Sequence, residues 1–106
     1  TQDQNLLQFF LNVVEFGMNV QEAAEAANIT SYQMRDSFGA HESFPGRLTL
    51  TNSIPAWVRS ELVRKGYKLE FTDNNSGPIT AIYLDRKHGS MWGAAAYHGE
   101  DYGIAW

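Results

Sequence analysis

From Leu6 to Phe16 the chain is almost continuously apolar, broken only by Gln8, Asn12 and Glu15. On a helical wheel Leu6, Leu7, Phe9, Phe10, Leu11, Val13, Val14 and Phe16 point in nearly every direction. A surface helix shows an apolar stripe; a helix apolar on most sides is buried on most sides. The run is too short to cross a bilayer, which takes roughly 20 apolar residues. The pattern therefore predicts a helix over 3–16 that needs protein cover on several sides. Asp3 suits the positive end of its dipole, and Gly17 supplies the left-handed residue that ends it. Asn19-Val-Gln-Glu22 reads as a capping box opening a second helix over 20–27. Its alanines are what helix propensity alone selects, and small side chains also let a neighbouring element approach closely.

Residues 28–46 show no period and read as a long loop carrying Tyr32, Phe38 and Phe44. Loops this long are usually functional or ordered by a partner surface. Arg47-Leu-Thr-Leu-Thr51 alternates at period two and predicts a strand. Pro55 fits the first turn of a third helix and Gly66 the position just past its end. Trp57, Val58, Leu62 and Val63 form one apolar face of that helix, opposite Arg59, Glu61, Arg64 and Lys65. Strands follow over 67–72, 79–84 and 90–95. Asp73-Asn-Asn-Ser-Gly77 and Asp85-Arg-Lys-His-Gly89 supply turn chemistry between them. The last residues, up to Trp106, turn from polar to apolar and are expected to tuck against the body.

The order is helix, helix, loop, strand, helix and an antiparallel β-meander, an α+β pattern in a single domain over 1–106. Helix three is expected to cover one face of the meander through Trp57, Val58 and Leu62. Helix one asks to lie between two layers, and this chain supplies too few. The sequence looks like part of a fold.

Composition narrows the function. Twelve acids against eight bases give a net charge of -4, with no basic stripe, which argues against nucleic acid and anionic membranes as partners. There is no cysteine, so disulfides, thiolate chemistry and cysteine-ligated metals are excluded. The chain shows no initiating Met and no leader pattern, which suggests processing or excision from something longer. The compartment, bacterial periplasm or cytoplasm, is not encoded in these features.

Candidate chemistry is sparse. His41, His88 and His98 fall in loops or turns without the spacing of a metal pair, and neither metal nor cofactor is expected. Glu100 and Asp101 are neighbours that point apart, unlike the facing carboxylates of paired-acid catalysis; they read as surface charge that can reach Arg47 or Arg86. Asn74-Asn75-Ser76-Gly77 reads as a hairpin turn before it reads as an anion nest. A chain-terminal Thr1 can be a nucleophile with its own α-amino group as base. Such residues usually begin a buried strand, whereas Gln2-Asp3-Gln4-Asn5 leads straight into a helix. Thr1 therefore reads as a boundary residue, and no catalytic residue is assigned in this chain.

Four stretches carry a resemblance: LNVVEFGMNVQEAAEA, LVRKGYKLEF, GPITAIYLDRKHG and the closing WGAAAYHGEDYGIAW. In this order, over nearly all of the chain, they resemble the C-terminal part of the γ-glutamyltranspeptidase small subunit, most closely the bacterial branch with cephalosporin-acylase-like members. The resemblance implies an N-terminal-nucleophile hydrolase fold, an αββα sandwich of two sheets between helical layers. It implies a precursor that cleaves itself, and a new N-terminal threonine that attacks γ-glutamyl amides such as glutathione. That threonine, and the Gly-Gly pair contributing to the oxyanion hole, would precede Thr1. The partners implied are the large subunit and the earlier part of the small subunit, with a small γ-glutamyl or related amide as substrate. The first turn of helix one, Thr1, Gln2 and Gln4, would border the substrate pocket, since a helix N-terminus favours an anion. Two arginines of relatives are absent. Asn28 ends Glu25-Ala-Ala-Asn28 where relatives often read Glu-Ala-Pro-Arg. His98 ends Gly93-Ala-Ala-Ala-Tyr-His98 where they often read Gly-Ala-Ser-Asp-Pro-Arg. The competing expectation is a self-contained α+β module that binds a protein partner through helix one and its exposed aromatics and performs no catalysis.

Overall fold

The computed structural model of the chain describes residues 2–35, 39–74 and 77–96. Among these residues three helices and five strands appear in the order α1 (Gln2–Val14), α2 (Val20–Glu25), β1 (Ile29–Ser31), β2 (Arg47–Thr51), α3 (Ala56–Arg64), β3 (Lys68–Thr72), β4 (Thr80–Asp85) and β5 (Ser90–Ala95). They fall into two compact units. One combines Thr1–Ala26 with Asn74–Trp106; the other is Ala27–Asp73.

In the first unit α1 and α2 accompany the β4–β5 hairpin. Glu15 N–H donates to the Leu11 carbonyl at 2.8 Å, and Gly17 adopts φ 68° as α1 ends, a conformation that costs a residue with a Cβ more than it costs glycine. Asn19 then caps α2 as its sequence predicts, its side-chain oxygen accepting the Glu22 N–H at 2.8 Å. The core is Val20, Ala24, Ile79, Ala94 and Ala96, with Phe9 and Val13 packed against it. Alanine on α2 and alanine on β5 are what permit this close helix–sheet contact. β4 and β5 are antiparallel, with Ile82 opposite Gly93 and Tyr83 opposite Trp92.

In the second unit β2 lies between β1 and β3. β1 pairs with it antiparallel, Thr30 opposite Thr49; β3 pairs with it parallel, Leu50 opposite Phe71. The crossover between the parallel strands carries α3, as a parallel connection requires a long link. Leu48, Leu50 and Ile54 form the core, flanked by Ile29, Val58, Leu62 and Leu69.

Two expectations are corrected. The three-strand antiparallel meander reduces to the β4–β5 hairpin, because β3 pairs back in parallel with β2 and belongs to another sheet. The physical cause is burial: Leu69 joins the Leu48–Leu50 cluster under α3, which fixes β3 beside β2. Helix three packs through Val58 and Leu62, but Trp57 is 75% exposed. The predicted long loop also contains a strand, β1, too short at three residues for a period to show.

Candidate functional site

The first turn of α1 is where sequence reasoning placed the border of a substrate pocket. Thr1 lies outside the described residues, as does the side chain of Gln2, whose backbone opens α1. Gln4 is half-buried, and its carbonyl accepts from Gln8 Nε2 at 3.0 Å, one turn on. The neighbour that sequence reasoning passed over is Asn5, only 3% exposed inside an apolar helix. It lies against Gly77: a Cβ there would stand 2.4 Å from Asn5 Nδ2. The turn-forming glycine thus serves a close approach to α1, not a β3–β4 hairpin, and only the absence of a side chain permits it.

A second polar cluster closes the C-terminal end of the parallel strands. Asn28, where the resemblance led to an expected arginine, is buried. Its N–H donates to Thr51 Oγ1 at 3.3 Å and its carbonyl accepts the Thr51 N–H at 3.1 Å. Thr51 Oγ1 also meets Ser53 Oγ at 3.1 Å, while Asn52 Nδ2 donates to Asp73 Oδ1. Arg59 donates to the Asn52 and Ile54 carbonyls and lies over the Phe71 ring at 4.6 Å. The bonds from Asn28, Thr51 and Arg59 to main-chain atoms satisfy backbone groups at a strand end, which is structural work.

Arg47–Glu70 and His88–Asp85 are ion pairs elsewhere among the described residues. The Arg47 guanidinium reaches Glu70 at 2.9 Å and sits 4.4 Å from the Tyr32 centroid and 5.4 Å from that of Phe44. The hydrogen bond to Glu70 raises its pKa above the ordinary arginine value. Arg47 is therefore engaged within its own sheet, while Glu100 and Asp101 fall outside the described residues. On the exposed β4–β5 turn His88 Nδ1 meets Asp85 Oδ2 at 2.8 Å, and the His88 N–H donates to Asp85 Oδ1 at 3.1 Å. His41 lies in an exposed turn at φ 54°, and His98 is outside the described residues. Among the described residues no cluster of three metal-ligating side chains occurs, and no helix is long and apolar enough to cross a membrane.

This arrangement of α+β elements is the fold of the γ-glutamyltranspeptidases and related acylases, structures of the N-terminal-nucleophile hydrolase type. The chain is similar to γ-glutamyltranspeptidase from Pseudomonas nitroreducens complexed with L-DON, with TM-score 0.73 and 23% identity over 96% of this chain and 48% of that one. It is similar to LmbA2991HD with TM-score 0.87 and 27% identity, over 98% of this chain and 19% of the other. A cephalosporin acylase from Bacillus halodurans gives TM-score 0.75 and 20% identity, over 96% and 17%. The chain thus spans about half the length of the γ-glutamyltranspeptidase chains it matches. No protein-family model and no curated protein matches its sequence.

Proposed function

We propose that this chain is the C-terminal portion of a γ-glutamyltranspeptidase-like enzyme that transfers an acyl group from a γ-glutamyl or related amide to water or an amine. The observation that carries the reading is a fold match over 96% of this chain that spans only 48% of a γ-glutamyltranspeptidase chain. Exposed apolar surface supports it. Leu7, Phe10 and Val14 on α1 are exposed, Phe10 by 58%. Ile82, Leu84 and Met91 line up on one face of the hairpin and are exposed as well. Apolar faces of this extent mark surfaces that another layer covers.

In this reading the threonyl ester forms on a residue outside the chain. Its partners are the large subunit and the preceding part of the small subunit, and its own contribution is to complete the sandwich. The first turn of α1, Thr1, Gln2 and Gln4, borders the pocket, where the helix N-terminus favours the substrate carboxylate. The test is hydrolysis of a γ-glutamyl anilide by the protein with and without its preceding segments. Turnover is expected only in the longer form, and its absence there would reject the proposal.

A second reading, a self-contained module that binds a protein partner, draws on the same exposed face of α1. Unfolding separates the two. A cooperative monomer that binds no hydrophobic dye favours the module; self-association with dye binding favours the severed piece.

A further inference from the structure

The α1–α2 connection and one face of the β4–β5 hairpin line a cavity of about 300 Å³ in the first unit. The register sets Tyr83 opposite Trp92, and alternation along β4 puts Asp85 on the same face as Tyr83. Two aromatic rings and one carboxylate therefore share the cavity wall with Val13, Met18 and Val20, and none of the lining residues is basic. The Asn19 side-chain oxygen, also at the wall, is committed to the Glu22 N–H. Tyr83 and Trp92 are each 51% exposed as residues, which leaves aromatic surface open to a ligand.

Asp85 is held in place. Its two oxygens accept from the His88 N–H and meet His88 Nδ1, and its side chain is only 21% exposed. Each oxygen retains a lone pair beyond those contacts. A fixed carboxylate sharing a wall with two aromatic rings favours a cation, which a ring face attracts within about 6 Å of its centroid. Size narrows the guest further. An engineered apolar cavity of about 150 Å³ holds benzene, and this one is roughly twice as large, enough for a ring with a short charged chain.

We propose that this cavity binds a small organic monocation. Its ammonium group sits between the Asp85 carboxylate and the rings of Tyr83 and Trp92, and its apolar body lies against Val13, Met18 and Val20. The binding is independent of the acyl-transfer reading, since it uses only residues within this unit.

The test titrates the full chain with 2-phenylethylammonium at about pH 8. The readout is the Trp92 indole N–H resonance, assigned by its loss in Trp92→Phe. A saturable shift is expected. Affinity should fall by about fivefold or more in Asp85→Asn and for the neutral 2-phenylethanol on the unaltered chain. The anion 3-phenylpropionate should give no shift. Equal affinity for the amine and the alcohol would overturn the proposal even if Asp85→Asn failed to fold. So would a folded Asp85→Asn chain that bound the amine unchanged, or no saturable shift at all.

Discussion

Leu50 is wholly buried, among Leu48, Ile54 and the flanking Val58, Leu62 and Leu69. Removing three of its carbons leaves a cavity that this β–α–β core cannot fully close. Leu50→Ala should cost about 3 kcal/mol in denaturant unfolding, whereas Trp57→Ala, on the exposed side of α3, should change stability by less than about 0.5 kcal/mol. Glu61 is the complementary surface case. Its pKa is lowered from 4.5, first by the hydrogen bond from Arg64, and its side chain is about half exposed. A depressed carboxylate stabilises the fold above its unfolded pKa and loses that contribution as pH falls through the folded value. The difference between the unaltered chain and Glu61→Gln should therefore be small, present near neutrality and gone at acid pH. Leu50 and Glu61 were both legible in the sequence, one from alternation along β2 and the other from its place opposite the apolar side of α3. Asn5 was not: nothing local says that a polar residue in an apolar helix lies against a glycine 72 positions away.

Elements were legible where one period ran long enough to declare itself. α1, α3, β2 and the β4–β5 hairpin all lie within about two residues of their expected positions, since each carries its own alternation or apolar face. Pairing was harder. Turn residues at 73–77 suggested that β3 and β4 were neighbours, but turn chemistry says only that the chain bends; which strand a strand joins is decided by burial elsewhere. β5 shows how such a contact is made without a strand. The Gln21 amide donates to the Ala95 carbonyl at 3.1 Å and accepts the Ala95 N–H at 3.2 Å, occupying both backbone groups on the edge of β5 facing away from β4. It supplies two of the bonds a further strand would make there. In Gln21→Ala the Ala95 amide should exchange hydrogen markedly faster while Ala96, bonded to the Ile79 carbonyl at 2.8 Å, keeps its protection. Equal rates in the variant and the unaltered chain would show that the amide does not hold the edge.

At the scale of the molecule, the opening sequence asked what covers a helix apolar on nearly every side, and only part of the answer lies in this chain. Phe9 and Val13 turn toward Val20, Ala24 and Ile79, while Phe10 remains 58% exposed on the same helix. Two adjacent phenylalanines therefore report on two different environments. A carboxylate forced into the packed side of α1 loses its hydration without a partner, which costs several kcal/mol. Phe9→Asp should consequently abolish soluble protein whether the chain is produced alone or with the segments proposed to precede it. Phe10→Asp should behave differently in the two settings. Alone, it replaces exposed apolar surface with charge and should reduce self-association, seen as a shift toward monomer in size-exclusion chromatography. Within the longer protein the same carboxylate would meet the covering layer and should abolish soluble yield and γ-glutamyl anilide turnover together. If Phe10→Asp left the longer protein soluble and active, α1 would have no second layer over that face, and the sandwich reading of this chain would fail.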